Sequence, residues 1–211
     1  MTRHRLRLLA IVFLVCVGGC VELDTPLSDP AKAEVDKTLC GVWRPTKDDG
    51  DNQNYLFVGS GEGNDGVPAG LMRWTMPSFN RTSLKVDPSG PMCGFVTRIK
   101  DATYFNAIGT EDGRDLMEKG NFDAWAARPV RKTSLCKYKV DSDNLTVWLG
   151  LGEKSYKAFA AKHNITDSAS LAGYLEQSGD RELFPDERPT TQPGEELDFR
   201  TVYKVTYTRV R

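Results

Sequence analysis

The feature that most constrains the fold of this chain is an alternation of apolar and polar residues with a period of two. It is clearest near the C-terminus, where Phe199, Tyr203, Val205 and Tyr207 share one parity. The intervening positions include Arg200, Lys204, Thr206 and Thr208. Successive side chains of a β-strand point to opposite faces, so this segment predicts a strand with one apolar face.

The same alternation occurs in two segments further upstream. Cys136, Tyr138 and Val140 alternate with lysines, and Leu145, Val147 and Leu149 alternate again after the turn-forming residues 141–144. This pattern predicts a hairpin of half-buried strands. Apolar runs bounded by turn residues predict the earlier strands, which are Leu39–Arg44, Tyr55–Val58, Leu71–Phe79, Phe95–Lys100 and Thr103–Ile108.

Two helices are predicted between the hairpin and the last strand. In Glu153–Asn164, Tyr156, Phe159 and His163 fall on one helical stripe. The second helix begins with a cap at 166–168 and ends at Gly179. The segment Glu111–Pro129 is compatible with a short helix or a long packed loop. A series of six or more strands joined by short turns favours a closed barrel or a sandwich, and closure also removes the edge strands.

The N-terminus has the three regions of an export signal. A basic start is followed by the apolar run Leu8–Val17, which is too short to span a bilayer. The next residues, Val17-Gly18-Gly19-Cys20, resemble the lipobox of bacterial lipoprotein signal peptides. This resemblance implies that residues 1–19 are removed, that Cys20 is acylated, and that residues 20–37 form a lipidated tether. Val21 stands where some such proteins have an Asp that retains them in the inner membrane, so we expect an outer-membrane lipoprotein facing the periplasm.

Charge and composition narrow the class of partner. The leader holds three of the 28 Lys and Arg residues and none of the 29 Asp and Glu residues, so the remaining 192 residues have a net charge of −4. The sequence has no basic block, and we therefore expect no nucleic-acid partner. The acidic loops at 48–51 and 62–65 do not have calcium-loop spacing, so no metal ion or other cofactor is predicted.

Three cysteines remain beyond Cys20, namely Cys40, Cys93 and Cys136. Disulfides persist in exported proteins, so one bridge and one thiol are expected if a bridge forms. The spacing does not choose among the three pairings. We take Cys93 with Cys136 as the candidate pair.

The first strand of the globular part contains Gly41-Val42-Trp43, which resembles the G-x-W motif of lipocalins and related calycin barrels. In those proteins the Trp closes one end of the barrel and packs with a basic residue of the last strand. The resemblance therefore implies a lipocalin-like antiparallel barrel over residues 38–211, with Gly41 and Trp43 as its motif. Arg209 or Arg211 would be the basic partner, and we select Arg209.

A wider resemblance covers most of the chain after the leader. A group of bacterial lipoproteins shares the G-x-W opening, a second strand like residues 55–59, a hairpin like residues 145–148 and a basic last strand. This resemblance implies no particular activity.

The sequence favours a non-catalytic function. His163 is the one histidine left after the leader, and its helical stripe indicates a packed residue rather than a general base. One hypothesis is a barrel that binds a small apolar ligand, with the 60–70 loop around its mouth and aromatic residues lining its cavity. The alternative is a structural or protein-interaction lipoprotein with a filled core, for which an exposed patch on Glu111–Pro129 is a candidate contact surface.

Overall fold

The structure is a computed structural model that describes residues 21–47, 50–61, 67–88, 92–186 and 204–211. In these residues the strands are β1 Val21–Leu23, β2 Gly41–Pro45, β3 Asn52–Asn54, β4 Leu56–Ser60, β5 Met72–Thr75, β6 Ser78–Asn80, β7 Lys85–Asp87, β8 Met92–Ile99, β9 Ala102–Ile108, β10 Thr133–Asp141, β11 Asn144–Trp148 and β12 Lys204–Arg209. The helices are α1 Thr110–Lys119, α2 Phe122–Ala126, α3 Glu153–Lys162 and α4 Ser168–Ser178.

Eight of the strands form a closed antiparallel barrel. Their order round the barrel is β2-β4-β5-β8-β9-β10-β11-β12. Barrel strands that follow one another in the sequence are therefore neighbours in the barrel. The barrel closes where β12 pairs with β2, with Arg209 opposite Trp43. The mainly-β class and the two helices before the last strand are confirmed, and the barrel is consistent with a calycin-like fold. A closed barrel satisfies the hydrogen-bonding groups of every strand edge.

A second sheet of three strands, in the order β3-β6-β7, extends one pair of barrel strands. Strand β3 directly precedes β4, and β6 directly follows β5. The predicted single strand Leu71–Phe79 is therefore two strands, interrupted by Met76 and Pro77. Since proline cannot donate to a strand ladder, it marks this interruption.

The four helices cover one side of the barrel. Helices α1 and α2 pack Leu116, Phe122 and Trp125 onto Leu71 and the outer faces of β8 and β9. Helices α3 and α4 pack Phe159, Leu171 and Leu175 onto the outside of β9 and β10. The segment Glu111–Pro129, for which the sequence allowed either a short helix or a long packed loop, is thus mostly helical. Its Leu116, Phe122 and Trp125 face the barrel wall and are buried there.

The segment predicted as a tether, 20–37, differs from that prediction where the structure describes it. Val21 is fully buried, and β1 pairs with the first residues of β10. The backbone N–H of Leu27 then donates to Asn106 Oδ1 at 2.9 Å, and the hydroxyls of Ser28 and Thr97 lie 2.5 Å apart. The few apolar residues of this segment are enough to hold it on the wall, although it is polar on average.

Candidate functional site

The candidate site is the interior of the barrel, whose two ends differ in packing. Inward-facing residues of all eight strands contribute to one apolar cluster. Near the end where β2 begins, Trp43, Met72 and Leu145 are completely buried. Near the opposite end, which we call the mouth, the cluster residues Trp74, Ala107, Cys136 and Val147 are half-buried, and so is Val205, which pairs with Val147.

The segment 35–40 lies across the end away from the mouth, which we call the closed end. Its Asp36 receives a hydrogen bond of 2.7 Å from the Tyr138 hydroxyl of β10 and lies 3.3 Å from Arg98 of β8. At the other side of the barrel, Arg209 of β12 donates to the carbonyl of Thr38 at 2.7 Å. Since β8 and β12 are four strands apart in either direction, these contacts fix the segment across the full width of the barrel.

The carboxyl group of Asp36 is held in its charged form. Burial opposes ionisation, but hydrogen bonds from Thr38 and Tyr138, together with Arg98, outweigh burial and lower the pKa of Asp36 below its ordinary value. Burial and the adjacent Asp36 raise the pKa of Tyr138 far above its ordinary value. At neutral pH the contact therefore joins a protonated tyrosine donor to a carboxylate acceptor, which is the stronger kind of hydrogen bond.

The structure brings together the three residues of the predicted barrel motif. The guanidinium carbon of Arg209 lies 4.1 Å from the centroid of the Trp43 ring, and the indole N–H donates to the Leu39 carbonyl at 2.9 Å. Gly41 has a φ of +146°, and a Cβ there would lie 2.6 Å from Arg209 Nη1. A side chain at position 41 would therefore displace the arginine from its place over the ring.

The second candidate for the basic partner, Arg211, lies elsewhere and forms an ion pair with Asp143. Parity alone did not separate Arg209 from Arg211, because both have the same parity in the last strand. The register of β12 against β2 decides between them. That the contact between Trp43 and Arg209 marks a family relationship stays a prediction.

The mouth half of the interior is lined by uncharged side chains. Trp74 packs edge-on against Phe105, with ring centroids 4.5 Å apart. Val147 of β11 and Val205 of β12 are direct cross-strand partners and so share the inner face. This half offers apolar and aromatic surface and no ionisable acid or base suited to proton transfer among the residues just named.

The described ends of the 60–70 loop, residues 60–61 and 67–70, lie at the closed end, which differs from the expectation that this loop rims the mouth. It joins the end of β4 to the start of β5, where Ser60 pairs with Met72. A Cβ at Gly70 would lie 1.9 Å from the Ala33 carbonyl oxygen, so the chain at Gly70 packs against the N-terminal segment. In a barrel of sequential antiparallel strands, successive connections alternate between the two ends, and this one falls beside Gly41.

The structure does not join the two cysteines proposed as a pair. Cys93 faces outward beneath α1, where it is a free, fully buried thiol near the Gly113 carbonyl. Cys136 faces the interior cluster, so the barrel wall separates the two. Burial raises the pKa of Cys93 to about 12, which makes it a poor nucleophile. Cys40 packs against the interior cluster at the closed end.

The remaining histidine is packed among aromatic rings. His163 is the C-terminal cap of α3, with the rings of Phe159 and Tyr174 at centroid distances of 4.8 and 4.6 Å. Its Nε2 lies 3.1 Å from Glu182. Within the described ranges, no group of three or more His, Cys, Asp or Glu residues is arranged to hold a metal ion. Parts of both acidic loops, at 48–49 and 62–65, lie outside those ranges.

Cys20 and the predicted signal peptide at 1–19 also lie outside the described residues. Among the helices that the structure describes, none has the length and apolar character needed to cross a bilayer. When the chain was compared with protein-family models, curated proteins and solved structures, no match was found.

Proposed function

We propose that this chain is an exported lipoprotein, acylated on Cys20, whose barrel binds a small apolar ligand through its mouth and catalyses no reaction. The observation that supports ligand binding most directly is the contrast within the barrel interior. Trp43, Met72 and Leu145 at the closed end are completely buried, whereas Trp74 and Val205 near the mouth are inward-facing and half-buried.

Half-buried side chains on an inner face indicate room beside them. In a barrel filled by its own side chains, inward-facing residues of the strands would be largely buried, as Trp43, Met72 and Leu145 are at the closed end. A ligand that covered the exposed part of the mouth residues would gain roughly 25 cal/mol for each Å² of apolar surface removed from water. Because Trp74, Ala107, Val147 and Val205 are uncharged, the ligand that fits is neutral and largely apolar.

The lipobox-like sequence supports the anchor. A single acyl chain holds a protein to a membrane only marginally, whereas two chains hold it stably. Bacterial lipoproteins resembling this one carry two or three chains on the cysteine that corresponds to Cys20. Replacing Cys20 with Ala is expected to release the protein from membranes, and continued membrane attachment of that variant would overturn the proposed anchor.

The ligand-binding proposal is tested with a neutral fluorescent probe, N-phenyl-1-naphthylamine, and a protein that begins at Val21. Val205→Arg places a charge on the inner face at the mouth and is expected to weaken probe binding by about tenfold, or about 1.4 kcal/mol. Thr206→Arg is the matched control, because Thr206 is the next residue of β12 and points outward. Equal binding by both variants, or no binding by the unchanged protein, would contradict the proposal.

A second candidate function, a structural or protein-interaction lipoprotein, is favoured by a different observation. The β6–β7 hairpin exposes Leu84 by 74% and Val86 by 63%, and β7 is an edge strand of the described sheet. Exposed apolar residues on a strand edge are typical of protein contacts. A photo-crosslinking residue at Val86 would give one discrete cross-linked product in cells if this function is correct, and none if it is not.

A further inference from the structure

The N-terminal strand fixes the chain in the barrel wall at the first residue after Cys20. Val21 is fully buried and lies opposite Leu135 of β10. Its side chain is enclosed, since a Cβ built on Gly150 would lie 3.0 Å both from Val21 Cγ2 and from the Phe184 ring. The acylated residue is therefore attached directly to a packed part of the fold, with no length of loose chain between them.

The same edge of β10 also limits how far the chain can continue along the wall. Strand β1 occupies this edge at positions 133–135, and β11 occupies it from Lys137 onward. One position, opposite Cys136, is left between them. Consecutive Cα atoms are about 3.8 Å apart, so the covalent chain attaches the acylated residue about that distance from the Val21 Cα, which itself lies beside the junction of β10 with β11.

We propose that the acylated protein lies side-on against the bilayer, with the β10–β11 side of the barrel and helix α3, which packs on that side, facing the lipid headgroups. This inference rests on the acylation of Cys20 proposed above. The acyl chains must enter the hydrocarbon core, and a headgroup layer is only roughly 5–8 Å thick on each side of that core. Because the lipid is attached one residue before the buried Val21, this side of the molecule, including α3, must lie close to this layer.

The surface around this point is suited to contact with headgroups but has little affinity of its own. Lys132 pairs with Glu22 at 3.0 Å, and Lys157 pairs with Glu153 at 2.6 Å. Within each pair the positive and negative charges cancel, so the attraction of these pairs to an anionic lipid surface is weak. The lipid, rather than this surface, would hold the protein in place and set its orientation.

The opposite side of the barrel faces away from the bilayer in this arrangement. Strand β4 is four strands from β10 in either direction, and its Phe57 points outward and is 40% exposed. Both ends of the barrel then lie at the sides, so the mouth opens along the membrane surface. An apolar ligand would reach the mouth from beside the bilayer rather than through its headgroups.

The test uses the full chain, acylated in a bacterial host, verified by intact mass and reconstituted in phosphatidylethanolamine–phosphatidylglycerol vesicles that contain a headgroup nitroxide lipid. A fluorescent amino acid replaces either Phe57 or Ser155, which is exposed in the first turn of α3, the turn whose Glu153 interacts with Lys132. Quenching at 155 is expected to be at least about twofold stronger than at 57, because the two sites lie on opposite sides of a body wider than a headgroup layer.

A matched variant carries a 12-residue Gly-Ser insertion between Cys20 and Val21. This insertion keeps the same lipid but adds slack with a root-mean-square length of roughly 20 Å, so the difference in quenching between the two sites is expected to disappear. Equal quenching at both sites in the acylated protein without the insertion would overturn the side-on arrangement. A mass without acyl chains would instead overturn the proposed anchor, which keeps the two failures distinct.

Discussion

The closed end and the mouth of the barrel are built from the same alternating strands but have different interactions. At the closed end, Trp43 is covered by Arg209 and by the segment 35–40, and its polar atom has a defined partner. At the mouth, Trp74 has an edge-on contact with Phe105 but remains half-buried. One end therefore contributes mainly to stability, and the other leaves apolar surface available for binding.

The largest effect is expected from truncating the tryptophan at the closed end. Trp43→Ala removes a fully buried ring and leaves a cavity, which should lower the free energy of unfolding by about 3–5 kcal/mol. Trp74→Ala at the mouth is the comparison, and we expect a loss of only about 1–2 kcal/mol because the ring is half-buried. Urea unfolding followed by circular dichroism measures both, and equal losses would remove the distinction between the two ends.

The next largest effect on the free energy of unfolding is expected from removing the charge of Asp36. Asp36→Asn removes the charge that accepts hydrogen bonds from Thr38 and Tyr138 and should cost about 2–3 kcal/mol at neutral pH. Because the folded state lowers the pKa of Asp36, its stabilising contribution is complete above the unfolded pKa and is lost as the pH falls through the folded pKa.

The corresponding measurement is urea unfolding of both proteins at a series of pH values. The unchanged protein should lose stability as the pH decreases below about 4, the ordinary pKa of an aspartic acid. The Asp36→Asn variant should lose less over the same interval. Parallel pH profiles would show that Asp36 is not held in its charged form by the closed end.

A smaller effect is expected from Arg209→Lys. Lysine keeps the charge but cannot reproduce the planar contact with Trp43 while donating to the carbonyls of both Thr38 and Cys40. We expect a loss of about 1–2 kcal/mol. Arg211→Lys is the control, because that side chain is 82% exposed and should change stability by less than about 0.5 kcal/mol. Similar losses in both variants would contradict the role assigned to Arg209.

The smallest effect on stability is expected at the mouth. Val205→Thr keeps the shape of a half-buried side chain that is already partly solvated, so the free energy of unfolding should change by at most about 0.5 kcal/mol. Its affinity for N-phenyl-1-naphthylamine should nevertheless fall, since a hydroxyl replaces a methyl group on the proposed binding surface. A large loss of stability would show that Val205 belongs to a packed core.

The strand series and the two late helices were predictable because their patterns are local. The alternation in β10, β11 and β12 and the helical stripe of α3 each lie within about ten residues. The N-cap of α4 is Asp167, one of the three predicted cap positions. The Gly41 and Trp43 motif was also visible in the sequence, although its partner depended on a register that no local pattern contains.

Other features depend on distant contacts. Strand β8 is buried on both faces, and its run of apolar residues does not show which of them face the helices and which face the interior. Strand β1 has three residues, too few for a recognisable alternation, and it forms only because the edge of β10 is available to it. The end of the barrel at which the 60–70 loop leaves β4 and enters β5 likewise follows from the order of strands round the barrel.

The seam between β12 and β2 has a consequence for the time at which this protein can fold. Arg209 donates to the carbonyl of Cys40, 169 residues away, so the barrel is closed by contacts between the two ends of the folded region. Folds dominated by such distant contacts form slowly, because a long loop must be ordered before the contacts that stabilise it exist. A chain that is still being translated lacks its last strand and remains an open sheet with two unpaired edges. Closure of the barrel therefore has to wait until the last strand has been synthesised.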